Sequence, residues 1–160
     1  MSNPIYSKFI RDFFLIFFVF IIDRISKQYV VYYSKENFGL DIFNSAYLNL
    51  SLTWNGGVAF GLLSIENNYI YNLITFLIFI IIVIIIKMIF SSQNLKKYSL
   101  ILVAGGAIGN IYDRIFFNAV PDFIDLHYGN FHWFIFNVAD IFITIGIFLL
   151  IIDEVVTSKK

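Results

Sequence analysis

The chain has 160 residues, 59% of them hydrophobic, and a mean hydropathy of +0.81. This is more apolar surface than a soluble domain of that length can bury, so much of it must face lipid. The net charge is zero and there is no cysteine, which excludes a global field for nucleic acid, disulfides, thiolate metal sites and cysteine nucleophiles.

In chain order, four stretches are apolar enough to cross a bilayer, for which about 20 residues are needed: Phe13–Tyr32, Tyr69–Phe90, Tyr98–Phe117 and Phe134–Val156. Lys8 and Arg11 precede the first as they would in a signal peptide. No small-x-small cleavage site follows, and Asp23-Arg24 comes instead, so a retained anchor helix is expected. Outside these helices or in their last turns, Lys8, Arg11, Lys87, Lys96, Lys97, Lys159 and Lys160 fall on one side and only Lys35 on the other, seven against one. The positive-inside rule then places both termini in the cytoplasm. Tyr33–Asn68 and Asn118–Trp133 become outer segments, where irregular structure and function are expected. In the first of these, Leu48 to Trp54 alternates apolar and polar residues, a half-buried strand pattern, and Asn55-Gly56-Gly57 marks a turn. The expected fold is therefore all-α and integral to the membrane: one domain over residues 1–160, with four spans and a small extracytoplasmic β element.

Apart from Asp153 and Glu154 in the last turn of the fourth, three carboxylates lie within the predicted helices, where such groups are expensive and functional by default: Asp23, Asp113 and Asp140. Lys27 stands one turn after Asp23, so a neutralising structural pair is as good a reading there as a functional one. Asp113 and Asp140 each follow an asparagine by three residues, Asn110 and Asn137, a spacing that sets amide beside carboxylate on a helix. Antiparallel third and fourth helices bring both aspartates to similar depth near the outer leaflet. There they would either share a proton and activate water or simply bond neighbouring helices together. Gly105, Gly106 and Gly109 lie just below, where close helix packing is the favoured role.

Other chemistries are less well supported. Asp122, Asp125, His127 and His132 match no standard zinc spacing, and loop histidines are ordinarily solvated, so no metal is expected. No Gly-x-Ser-x-Gly motif is present. Trp54, Tyr128 and Trp133 sit where an interfacial belt would be. A small transporter or proton-conducting subunit is the main alternative, since intramembrane charges also mark ion paths. It predicts inverted repeats and charges at the midplane, whereas the charges here gather at the outer end.

Five successive segments resemble the signature blocks of bacterial lipoprotein signal peptidases: Asp23 to Lys27, Asn55 to Gly61, Gly109 to Arg114, Val120 to Phe123 and Phe136 to Asp140. The resemblance covers nearly the whole chain. It implies an intramembrane aspartic endopeptidase that removes signal peptides from prolipoproteins, cutting before a diacylglyceryl-modified cysteine. It implies Asp113 and Asp140 as the catalytic pair, with Asn55, Asn110, Arg114, Asn137, Ala139, Gly109, Asp23 and Lys27 lining or supporting the substrate site. It implies no cofactor, a monomer among membrane lipids, and a place in the bacterial inner membrane with the active site outward. Phe134-Ile135 stand where many members have proline, which leaves the start of the fourth helix open.

Overall fold

The computed structural model describes residues 4–58, 63–64 and 68–158. Ala59, Phe60 and Gly61 of the second signature block, and Lys159 and Lys160 of the basic set, lie outside the described residues. The chain runs α1 Pro4–Glu36, β1 Phe43–Asn44, β2 Leu48–Asn55, β3 Gly57–Val58, β4 Leu63–Ser64, α2 Asn68–Ser91, α3 Asn94–Phe117, β5 Val120–Tyr128, β6 Phe131–Phe136 and α4 Val138–Thr157.

Helix α3 is the hub and packs against α1, α2 and α4. Its small residues permit this. A Cβ on Gly105 would lie 2.6 Å from the Val19 side chain of α1, and one on Gly106 would lie 2.5 Å from the Ala139 carbonyl of α4. Gly146 of α4 repeats the device against Val103 and the Ser99 carbonyl. In a low-dielectric medium, where helix association depends on close van der Waals packing, these absent methyl groups set the spacing. Away from the sheet, Ile89, Leu100, Ile101 and Ala104 form the apolar core, and Asp12, 3% exposed, pairs there with Lys97.

Among the described residues, two helices are long and apolar enough to cross a membrane, Tyr69–Ser91 and Asn94–Phe117. Only 11% of the first is buried within the protein, so its Ile, Leu and Phe side chains face outward almost all round. A soluble surface does not carry such a patch. Helices α1 and α4 are of spanning length, with 33 and 20 residues. They also carry Asp12, Asp23, Arg24 and Lys27, and Asp140, Asp153 and Glu154, respectively.

The strand predicted over 48–54 is present. The segment predicted as an irregular outer loop is not: β5 and β6 form a hairpin and join β1 and β2 in an antiparallel sheet of order β1-β2-β5-β6. Gly129, with φ of +58°, makes the two-residue turn between Tyr128 and Phe131, as a II′ hairpin requires. The expected helix start at Phe134 is corrected accordingly. Phe131 to Phe136 is strand, and Asn137 caps α4. An apolar aromatic run satisfies strand and helix alike, and pairing with β5 decides between them. Helix α1 also extends well beyond the apolar run at both ends.

Candidate active site

Asp23, Arg24 and Lys27 project from α1 toward Asp113 of α3, and all four are buried, at 0%, 8%, 1% and 0% exposure. Arg24 grips Asp113 with two bonds of 2.6 and 2.7 Å, and Lys27 adds a third of 2.8 Å. Asp23 receives Arg24 and Lys27 at 3.0 Å each, and the Ala139 backbone N–H at the start of α4, also at 3.0 Å. Two acids and two bases make a neutral cluster, with the Arg24 guanidinium stacked on Tyr112 at 4.8 Å. Gly109 presses its bare Cα face against the Asp23 carboxylate, where any side chain would collide.

Asp140 is held differently. Asn137 and Asp140 form a reciprocal capping box: the Asn137 side chain accepts from the Asp140 N–H at 3.2 Å, and the Asp140 carboxylate accepts from the Asn137 N–H at 3.1 Å. The Asn-x-x-Asp spacing is thus a helix start here rather than a pair within a helix. Asn110 shows the other outcome. Its side chain turns elsewhere than Asp113: its amide oxygen accepts from Lys27 at 2.8 Å and its NH2 donates to Asp140 at 2.8 Å.

A further buried carboxylate near Asp140 lies on the sheet, where the helix-based reading does not look. Asp122, 3% exposed on β5, accepts from Asn137 at 2.6 Å and from Asn55 at 2.8 Å. Asn137 therefore touches both carboxylates, one through its NH2 and one through its backbone N–H. No lysine or arginine bonds Asp122 among the described residues; its partners are neutral amides. Burial pushes its carboxyl up from 3.8 to about 6, against the pull of the Asn137 and Asn55 hydrogen bonds, with the Asp140 charge adding to the rise.

Asp122 and Asp140 line one cavity of about 660 Å³, together with Asn55, Asn110, Arg114 and Asn137. Its remaining wall is largely apolar: Ile78, Ala107 and Val120 face a stripe of α4 that runs from Ile143 through Ile147 to Ile151. Asp113 does not line it; that residue borders a separate cavity of about 290 Å³ between α1 and the sheet. The expected facing of Asp113 and Asp140 is thus not what the fold brings together. Arg114 donates to the Gly57 carbonyl at 2.8 Å and lies over Tyr71, which fixes the strand after Asn55. Asn55 in turn accepts from the Gly57 N–H at 2.9 Å. Ala139, fully buried, is the seat for Gly106 and the donor to Asp23.

A signal peptidase (SPase) II family model matches residues 15–156. The chain belongs to the signal peptidase II family. It is a peptidase, and it lies in a membrane. It is 51% identical to the lipoprotein signal peptidase of Pelagibacter ubique (strain HTCC1062), over 96% of this chain and 93% of that one. It is 37% identical to the lipoprotein signal peptidase of Rickettsia canadensis (strain McKiel), over 99% of this chain and 82% of that one. Its fold resembles the solved structure of a bacterial membrane enzyme with a TM-score of 0.70 at 29% identity, covering 94% of this chain and 91% of that one.

The signal for Asp122 was available in the sequence. Val120-Pro121-Asp122-Phe123 is a signature block, and the strand it forms is buried on both faces, which buries Asp122 with its apolar neighbours.

Proposed function

We propose that Asp122 and Asp140 are the catalytic pair of a prolipoprotein signal peptidase, and that Asp113 supports the site instead. The observation that carries this reading is the shared contact with Asn137 at the polar end of one cavity. Two carboxylates with only neutral donors can exchange a proton between them. Asp113, by contrast, is bonded to two cations, Arg24 and Lys27.

In the proposed reaction one carboxylate, ionised, takes a proton from water, and the resulting hydroxide equivalent attacks the scissile amide carbon. The other, protonated, gives its proton to the departing nitrogen as the C–N bond breaks. Asp122, with its carboxyl raised by burial, is the proton holder. No covalent enzyme intermediate is needed. Asn55, Asn137 and Asn110 hold the carboxylates and present amide groups to the substrate backbone. The apolar wall along α4 spans Asp140 to Ile151, about 16 Å at 1.5 Å per residue. It offers an acyl chain or an apolar signal-peptide helix a lipid-facing seat, in keeping with cleavage before a diacylglyceryl-modified cysteine.

The same reading places all four helices across the bacterial inner membrane, both termini in the cytoplasm and the sheet outside, in a monomer. The asymmetry in lysine and arginine supports the orientation, and the gathering of sheet, carboxylates and cavity at one end of the bundle fits a site at the outer surface.

The test uses purified full-length protein and a diacylglyceryl-modified peptide beside its unlipidated counterpart. The lipidated peptide should be cleaved and the unlipidated one far more slowly. Asp122→Asn should abolish turnover per folded molecule, and Asp113→Asn should not. The opposite ranking of the two variants would return the catalytic role to Asp113.

A further inference from the structure

On the sheet, away from this cavity, Asn49, Asp125, His127 and His132 converge. In the β2–β5 register Asn49 stands opposite Asp125, and in the β5–β6 register His127 stands opposite His132. Asp125 and His127 are two residues apart on β5. Direct cross-strand partners and i, i+2 neighbours share a face of a sheet, so three strands deliver four side chains to one place.

The distances are short. His132 Nδ1 lies 2.9 and 3.0 Å from the two Asp125 oxygens, and His127 Nδ1 lies 4.0 Å from Asp125 Oδ2. One ligand atom from each of these three residues falls within 4.8 Å of the others. The two imidazoles stack, with centroids 5.0 Å apart and planes at 18°.

Two atoms in this group are chemically unspent. His127 Nδ1 and Asn49 Oδ1 are buried and have no hydrogen-bond partner among the described residues. Buried polar atoms without partners are rare and call for an explanation. An imidazole nitrogen and a carboxylate each have a lone pair to offer, and a cation placed between them satisfies both.

We propose that Asp125, His127 and His132 bind a divalent transition-metal ion of the zinc class, with water completing the coordination, while Asn49 turns its NH2 toward Asp125 at 3.4 Å. Two imidazoles and one carboxylate favour zinc over magnesium or calcium, which prefer oxygen alone. His132 has a side chain 52% exposed, so the site has an open side for metal entry. The ion would tie β2, β5 and β6 together. Since β2 ends at Asn55 and β5 carries Asp122, it would brace the strands that hold the proposed catalytic carboxylate, while touching no residue of the cavity. Sequence spacing conceals the site because its donors meet across strands rather than along a helix or within a short motif.

The test needs no cleavage assay and so stands apart from the catalytic assignment. Untagged, chelator-treated full-length protein in detergent is titrated with zinc chloride and, separately, magnesium chloride. One zinc should bind per chain and raise the melting temperature by about 5 °C or more at a hundredfold excess over Kd, with no rise from magnesium. His132→Ala is half-exposed and should melt within about 2 °C of the parent without metal, as surface substitutions usually do. It should lose about tenfold or more in zinc affinity, and His127→Gln should do the same. X-ray absorption of the zinc-loaded protein should show nitrogen and oxygen neighbours at about 2.0–2.1 Å. Absence of a zinc shift in the parent, an equal shift with magnesium, or undiminished zinc affinity in His132→Ala would each overturn the proposal.

Discussion

Two polar clusters sit side by side in this bundle and are built on opposite principles. Around Asp113, every carboxylate meets a cation: Arg24 and Lys27 neutralise Asp113 and Asp23 within 3.0 Å. Around Asp122 and Asp140, every direct donor is a neutral amide or backbone N–H. The first arrangement lowers the cost of burying charge and fastens α1 to α3. The second leaves two acids close together with no cation bonded to either among the described residues, which in the proposed reading keeps a proton in play. Asn110 joins the clusters, accepting from Lys27 and donating to Asp140. In the proposed reading, buried aspartates of equal rarity in the sequence serve as fastener and as reagent, and what separates them is the charge of their partners.

The largest effect expected from this contrast is on turnover. Asp122→Asn and Asp140→Asn should each lower cleavage by on the order of 10³-fold or more, since an amide neither takes nor gives the proton. The double variant should be little worse than either single one, because residues acting as a unit are not additive. Additive losses in single-turnover cleavage would show that the two carboxylates act independently.

Next in size is the effect of Asp113→Asn on stability. It leaves Arg24 and Lys27 buried with one anion between them, at a cost of about 3–5 kcal/mol, while molecules that fold retain turnover. Denaturation in detergent micelles, set beside activity per folded molecule, separates the two quantities. A fully stable but inactive variant would contradict the fastener role.

Titration of Asp122 gives a further contrast. Its carboxyl is raised from 3.8 to about 6 in the folded protein. The stability this group contributes is therefore complete below pH 3.8, and about 3 kcal/mol of it is lost as pH rises through 6. Asp122→Asn has no such loss, so its melting temperature should gain on the parent's by several degrees between pH 4 and pH 7. A gap that does not change over that range would mean that Asp122 carries no raised carboxyl.

The smallest effect sharpens the role of Asn137, which caps α4 and also donates to Asp122. Asn137→Ser keeps a capping oxygen, so the helix should lose less than about 1 kcal/mol. Without the NH2 group, Asp122 loses its 2.6 Å donor, and turnover should drop about tenfold, the equivalent of one hydrogen bond to a charged group. Loss of stability without loss of turnover would reduce Asn137 to a cap.

By itself the amino-acid order determined the lipid-facing character, the helices, the strand ending at Asn55 and the family, because hydropathy, period-two alternation and short signature blocks are local properties. It also determined which residues are too polar for their surroundings to be incidental: Asp23, Lys27, Asn110, Asp113, Arg114, Asn137 and Asp140 all lie in or beside the two clusters. Only the tertiary structure decided their partners. Asn110-x-x-Asp113 and Asn137-x-x-Asp140 read alike along the chain, yet one lies inside a helix and divides its bonds between Lys27 and Asp140, while the other is a capping box. Phe131 to Phe136 became strand because β5 offered an edge to pair with. That pairing placed Asp122 on a buried strand beside Asn137 and set His127 against His132. Hydrogen bonds between residues distant in sequence depend on which backbone segments lie side by side. No local pattern carries that information, so neither the pairing of Asp122 with Asp140 nor the grouping of the two histidines with Asp125 follows from spacing along the chain.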